Sequence, residues 1–356
     1  MNPAYSILLF PISALYGVIT RVRVAMYRCG ILKTETVDAP VISVGNITAG
    51  GTGKTPVVEW IARRLAAEGL SVCVLTRGYG RDNPKTRVLA SDGRKVRGNE
   101  RETGDEALLL AESLVGKAAV VCDGNRVEAA KWAIRELGSE VLLLDDGFQH
   151  LRIARDLNIV LVDATLPWGE GRMLPLGRLR EPVDGLARAD AVILTRSDQV
   201  EKIDKLRDMV SELCGDAPVF AARTAVSRIV GLDGSEVGRT VEVIRGCASL
   251  AFCGIGNPQS FFNKLRNEHW NVVMTKIFRD HHVFEQKDVD ELIALANRSG
   301  LQTLITTTKD AIKLRNLKFT IECLVIEVKY EFDDERALTD LILKAVRGKV
   351  QRSRLR

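Results

Sequence analysis

The stretch "VISVGNITAGGTGKTPVVEW" at residues 41–60 sets an apolar, β-branched run before a glycine-rich turn and a helical pattern that opens with Lys54, Thr55 and Pro56. A phosphate-binding loop needs that order. Backbone N–H groups from Gly50 to Thr55 can wrap an anion where a helix dipole is positive. Lys54 can reach the β- and γ-phosphates of a nucleotide, and the Thr55 hydroxyl can take Mg²⁺. Proline suits the first turn of that helix. Counting five residues back from Gly53 reaches Thr48, where a glycine is usual, and Ala49 follows it. Gly50, Gly51 and Gly53, with Thr52 between them, still leave the backbone permissive. The nucleotide-binding candidates are therefore Thr48 to Thr55.

Other residues with chemistry in them lie at the ends of apolar runs. "EVLLLDDGFQH" puts Asp145 and Asp146 after a strand-like segment, where an open α/β sheet collects its ligands and where a carboxylate can hold Mg²⁺. "LTRGYGR" and "VVCDGNR" offer Arg77, Arg81 and Arg126 as guanidinium clamps for phosphate oxygens. Asp105 in "ETGDEALLL" stands at a helix start, either as a capping residue or as a group with chemistry to do. "GEGRMLPLGRLREP" gathers Arg172, Arg178, Arg180 and Glu181, and "FRDHHVF" joins Asp280, His281 and His282. "ILTRSD" loosely matches the base-reading element of GTP-binding proteins, so a membrane-associated GTPase switch or metallochaperone stands as the alternative function; a non-catalytic nucleotide sensor is a further rival.

These groups need a scaffold that presents strand ends and helix starts side by side. After Lys33, strand-like runs at "VISVG", "SVCVLT", "AAVVC", "EVLLLD", "NIVLVD" and "AVILT" alternate with helical patterns, which predicts a parallel α/β sheet. At 227–246 the pattern changes to alternation around "DGSE", read as a two-stranded ribbon. A second α/β set follows. The expected organisation is an N-terminal segment at 1–33, a nucleotide-binding domain at 34–226, the ribbon at 227–246, a smaller α/β domain at 247–346 and a basic tail at 347–356.

The bulk numbers suit this scheme. The 356 residues are 46% hydrophobic and 27% charged, the composition of a folded protein with room for two domains. A net charge of +5 suits contact with phosphates or anionic lipid and falls short of a nucleic-acid footprint, so no nucleic-acid partner is expected. Seven cysteines without a CxxC pair point to a reducing compartment. The first 20 residues carry no charged side chain, and Arg21, Arg23, Arg28 and Lys33 follow them. An interfacial anchor on a membrane is the favoured reading over a spanning helix or a packed one.

In order along the chain, "GNITAGGTGKTP", "TRGYGR", "GDEALLLA", "DGNRVEAA", "LLLDDGFQH", "LPLGRLREP", "AFCGIGNPQSFF", "FRDHHVF" and "TTTKDAIKL" resemble the tetraacyldisaccharide 4'-kinases of lipid A biosynthesis. That resemblance extends to about residue 330 and includes the non-glycine at position 48. It implies a P-loop NTPase-like domain joined to a smaller α/β domain by a two-stranded ribbon, with ATP and Mg²⁺ as cosubstrates. The acceptor it implies is the 4'-hydroxyl of an acylated glucosamine disaccharide 1-phosphate, at the cytoplasmic face of the bacterial inner membrane, and a monomer is expected. The resemblance also implies residue roles: Asp105 as base with His281 orienting it after domain closure, Lys54 and Arg126 on transition-state charge, and Thr55 and Asp145 on Mg²⁺. Asp146 would support the metal or the base, Glu181 would approach the metal, and Arg77, Gln149, His150 and Arg180 would meet the acceptor. Two positions depart from the family pattern: Arg178 stands where proline is often found, and Thr308 where glutamate is.

Overall fold

The computed structural model describes residues 3–354, with side chains from 9 to 349. The chain divides into two compact units, one running through Arg223 and resuming at Glu331, the other from Thr224 to Tyr330.

The first unit begins with α1 (Pro3–Arg28). There follow β1 (Val41–Asn46), α2 (Lys54–Ala67), β2 (Val72–Thr76), β3 (Val88–Ser91), α3 (Glu100–Thr103) and α4 (Asp105–Ser113). Then come β4 (Ala118–Cys122), α5 (Arg126–Leu137), β5 (Val141–Asp145), β6 (Leu157–Asp163), β7 (Ala191–Thr195), α6 (Ile203–Cys214) and β8 (Val219–Gly231). Its strands lie in the order β8-β7-β6-β1-β5-β2-β4-β3. The pairings are parallel except for the edge strand β3, which runs antiparallel to β4. All six strands expected here form. The alternating runs are almost wholly apolar because both faces of the sheet are covered, as parallel sheets require. One face packs Val41, Leu75, Val121 and Leu142 against Ala129, Ala130 and Ala133 of α5. Val160, Val192 and Leu194 build another cluster with Phe148 and with Val210 and Cys214 of α6. Full burial of an aromatic or branched side chain such as Phe148 or Ile42 contributes about 1.5–3 kcal/mol.

The order places β1 between β5 and β6, with Val44 in register with Asp145. The phosphate-loop strand and the "DD" strand are therefore neighbours, although their motifs lie about 100 residues apart in sequence.

The second unit contains α7 (Val241–Gly246), β9 (Ser249–Cys253), α8 (Pro258–Asn267), β10 (Val272–Ile277), α9 (Gln286–Arg298), β11 (Thr303–Thr307), α10 (Thr308–Leu314) and β12 (Glu322–Phe332). Its strand order is β10-β9-β11-β12-β8, with the pairs β10·β9, β9·β11 and β11·β12 parallel. Phe252, Leu292, Leu304 and Leu314 form part of its core.

Two sequence boundaries differ from expectation. Residues 227–246 do not form a ribbon by themselves. Residues 227–231 belong to the long β8, whose neighbour is β12, nearly a hundred residues later. The "DGSE" turn is closed by a single bridge between Val230 and Glu236, and 241–246 is helical because Thr240 caps it by accepting from Val243 N–H. The closing helix α11 (Glu335–Arg354) also leaves the second unit. Glu335 pairs with Arg64, Lys349 with Asp156, and Phe332 meets Trp60, all within the first unit. Of the basic tail, the side chains of Arg352, Arg354 and Arg356 lie outside the described residues.

Candidate active site

The phosphate loop follows β1 directly. Gly50 and Gly53 adopt φ of +117° and +81°, conformations that favour glycine, while Thr48 is absent from the non-glycine residues with positive φ. Thr48 instead forms an antiparallel bridge with Leu179, and Ala49 N–H donates to the Arg178 carbonyl at 2.6 Å. The first loop position is thus extended chain paired to the "LPLGRLREP" segment, where a side chain is admissible. Arg180 N–H donates to the Ile47 carbonyl and continues the pairing.

Lys54 is held at the start of α2. Its Nζ donates to Asn46 Oδ1 at 3.3 Å and lies 3.4 Å from Asp146 Oδ1. The Arg180 guanidinium reaches both oxygens of Asp146, at 2.8 and 2.7 Å. Burial would raise the Asp146 carboxyl, yet Lys54 and Arg180 outweigh it and hold the group at about 2. Asp145 differs. It ends β5 buried, accepts from the Thr76 hydroxyl at 2.9 Å through one oxygen, and its Oδ1 has no hydrogen-bond partner among the described residues. Burial first, then the neighbouring Glu106 and Asp146 carboxylates, push it up to about 6. A buried carboxylate oxygen left without a donor is costly, and a cation would satisfy it.

Arg126 opens α5 almost fully buried, donating to the carbonyls of Asp123 and Asp145. Burial lowers it to about 10, so it remains a cation at neutral pH. Arg77 is exposed, and its charge is felt by both Arg126 and His150. His150 is drawn down to about 4 by burial and by Arg126, so its imidazole is neutral at pH 7. Asp105 is the first residue of α4, buried, with Oδ1 accepting from Glu106 N–H. Its position depends on Gly104, φ +84°, where a Cβ would stand 2.1 Å from the Tyr79 carbonyl. Only glycine lets the "RGYG" turn lie so close to the helix start.

Some expected ligands are engaged elsewhere. Glu181 is buried against Arg188, whose guanidinium stacks 4.2 Å from the Phe148 ring, and its other oxygen accepts from Gln149 at 2.6 Å. Gln149 also donates to the Asn46 carbonyl. With both carboxylate oxygens occupied, this pair braces the loops rather than facing a metal or an acceptor. Arg81 likewise donates to the carbonyls of Cys122 and Pro84 and acts as a buried latch. "TRSD" supports the phosphate loop: Thr195 donates to the Thr52 carbonyl at 3.0 Å, and Arg196 joins Asp163 to the Gly51 carbonyl. That arrangement argues against a base-reading role.

Sequence reasoning missed Asn46, Glu106, Thr195 and Arg196 as partners of this site. Thr195 and Arg196 act through strand adjacency and Glu106 through the placement of α4, which spacing does not disclose.

In the second unit, His281 sits at φ +59°, and its Nε2 lies 3.4 Å from Lys309 Nζ, which also reaches Asp280. When Lys309 donates to Nε2, the ring proton is left on Nδ1. His282 is structural: it bonds Asp288 at 3.0 Å and packs among Phe278 and Phe284. Thr308 donates to the Ile326 carbonyl, so the family's departure there becomes a helix-to-strand contact.

A family model described as tetraacyldisaccharide-1-P 4'-kinase matches residues 5–347. A tetraacyldisaccharide 4'-kinase of Pelobacter propionicus is 40% identical over 339 residues, covering 94% of this chain and 91% of that protein. One from Halothermothrix orenii is 37% identical, covering 86% and 83%. Among solved structures, LpxK from Aquifex aeolicus in complex with ATP matches with a TM-score of 0.76 at 31% identity, covering 96% of this chain and 99% of that one.

Proposed function

The chain belongs to the tetraacyldisaccharide-1-P 4'-kinase family, and from that premise we propose how its residues perform an ATP-dependent phosphorylation of the lipid A precursor. The reaction is transfer of the ATP γ-phosphoryl group to the 4'-position. The finer reading is that the acceptor is the 4'-hydroxyl of a tetraacylated glucosamine disaccharide 1-phosphate.

The observation that carries the residue assignment is the convergence of Lys54, Arg180 and Asp146 beside the unpartnered Asp145 oxygen. Phosphoryl transfer depends mainly on positioning and on neutralising charge. Backbone N–H groups of Gly50 to Thr55 hold the phosphates, and Lys54, already tethered between Asn46 and Asp146, neutralises them. Arg126 adds a cation that stays charged throughout the working range. The donor set of Thr55 and Asp145 suits Mg²⁺, which when bound offsets phosphate charge; Asp146 supports that shell and keeps Lys54 in place. Arg180 divides its charge between Asp146 and the acceptor side, with Arg77 and neutral His150 near it.

Asp105 is the proposed base. A carboxylate held in a fixed geometry can take a proton as the new bond forms, and the tight Gly104 approach fixes the start of α4 that carries Asp105. His281, in the second unit, is proposed to act in the same reaction. In single-turnover transfer, Asp105→Ala should lose about 10²–10⁴ in rate while ATP affinity stays within about twofold; unchanged turnover would remove Asp105 from this role. His281→Ala should lower rate and shift its pH profile.

The N-terminal helix suits a membrane surface. From Leu9 to Arg28 it is long and apolar enough by length and composition to cross a bilayer. Ser13 donates to the Met173 carbonyl and Gly17 faces the Met173 side chain, so one stripe docks on the loop that carries Arg178 and Arg180. The opposite face leaves Phe10, Ile12, Leu15, Val18, Ile19 and Val22 exposed. An apolar face with arginines following it suits a helix lying in the lipid interface, on the cytoplasmic side, next to the loop that meets the lipid acceptor.

A further inference from the structure

The "LPLGRLREP" loop carries several cations, and their surroundings differ. Arg180 is paired with Asp146. Arg178 is exposed and has no side-chain hydrogen bond or ion pair among the described residues. Its backbone is nonetheless tightly defined. The carbonyl accepts from Ala49, the N–H donates to the Gly169 carbonyl at 3.1 Å, and its Cβ lies 2.6 Å from where a side chain on Gly169 would begin. From that fixed root the guanidinium turns over the phosphate loop: Nη1 lies 3.7 Å from the position a Cβ would take on Gly50.

Gly50 is exposed, with φ +117°. It is the first of the loop residues whose N–H groups face a bound phosphate. An oxygen accepting from such N–H groups stands about 3 Å from the backbone nitrogen, within reach of a guanidinium already at van der Waals distance from the Gly50 position. A cation placed there meets phosphate charge from a different segment of chain than the one that carries Lys54.

We propose that Arg178 is a catalytic arginine finger supplied from within the chain, binding the terminal phosphate oxygens of the nucleotide as that phosphate is transferred. The inference rests on the kinase reading above. A planar guanidinium suits the role, since it can give two N–H groups to two phosphate oxygens as charge spreads over them.

The test compares the full-length protein with Arg178→Ala and Arg178→Lys. Three quantities are read: the melting temperature, binding of a fluorescent ADP with and without Mg²⁺ and aluminium fluoride, and kcat and KM for both substrates. The finger predicts that Arg178→Ala binds ADP alone within about twofold of the parent. It predicts a loss of about tenfold or more in the tightening produced by aluminium fluoride, and a fall of about 10²–10³ in kcat. Arg178→Lys keeps the charge without the fork and should fall between the two. Undiminished tightening in Arg178→Ala overturns the proposal, as does a rise confined to the acceptor KM, which would make Arg178 an acceptor contact. If Arg178→Ala melts far below the parent, Arg178→Lys decides, with full aluminium-fluoride tightening and unchanged kcat counting against the finger. Failure of the parent to phosphorylate a lipid acceptor would count against the kinase reading alone, because the ADP and aluminium-fluoride comparison still reports on Arg178.

Discussion

Asp145 is buried with one oxygen lacking a partner and a carboxyl pushed up to about 6, whereas Asp146 beside it is drawn to about 2 by Lys54 and Arg180 despite its burial. Replacing Asp145 with Asn keeps shape and removes an uncompensated buried charge. Turnover should then fall about 100-fold or more while the melting temperature holds or rises; a large loss of stability would show that Asp145 is a structural carboxylate. His150 gives a pH dependence with a definite sign. Its folded pKa, about 4, lies below the ordinary imidazole value near 6.5. The unfolded chain therefore takes up the proton first as pH falls, and stability present above about 6.5 is lost progressively toward pH 4. His150→Asn should flatten that part of the melting-temperature profile, and an NMR titration of the parent should find the ring neutral down to pH 5. At this scale the sequence was readable where function follows from adjacent residues: "TAGGTGKT" and "DDGFQH" both sit at strand ends. It was not readable for Thr195 or Arg196, which reach the phosphate loop only because β6 and β7 lie beside β1, or for Asn46, whose side chain meets Lys54 and Thr48. The contact of Gln149 with Glu181 was likewise hidden, since it joins residues 32 positions apart.

Lys54, Asp105, Arg126 and Asp145 are each mounted on a strand end or a helix start, so the elements decide their aim. The turn before α4 is the most demanding of these mounts. Gly104→Ala would force a left-handed φ on alanine and drive its Cβ into the Tyr79 carbonyl, so a loss of about 2 kcal/mol or more is expected, with displacement of Asp105. Thermal denaturation together with turnover checks this, and a variant that melts like the parent and turns over normally contradicts the mount. Helix α1 has the opposite character, with one face docked and one left bare. Leu15→Asp combined with Ile19→Asp should leave the melting temperature nearly unchanged and reduce flotation with anionic lipid vesicles; unaltered flotation would remove the interfacial role. Most elements were legible because buried parallel strands announce themselves as short apolar runs. β3 escaped notice because "VLAS" is short and lies on the edge. The helix at 241–246 escaped because "VEVIRG" alternates like a strand over so few residues that its Thr240 cap was the better signal.

At the scale of the whole chain, the seven cysteines are all free, and five are buried. Burial pushes Cys73, Cys122 and Cys253 up to about 12, which suits inert core thiols in a reducing compartment. The two-unit plan was legible from the change of pattern near residue 227, but the return of α11 to the first unit was not. Nothing local to "FDDERALTDLILKAV" states that its partners will be Arg64 and Trp60, some 270 residues earlier. What unites these elements is a loop that binds phosphate, a strand end fit for Mg²⁺ and a family whose members phosphorylate a lipid A precursor. The most direct measurement is incubation of the purified protein with γ-³²P-labelled ATP, Mg²⁺ and the acylated disaccharide 1-phosphate, with unlabelled ATP or GTP as competitor. The account predicts label at the 4'-position of the lipid, competed by ATP far better than by GTP and abolished in Lys54→Ala. Release of labelled inorganic phosphate without labelled lipid, or equal competition by GTP, would contradict it.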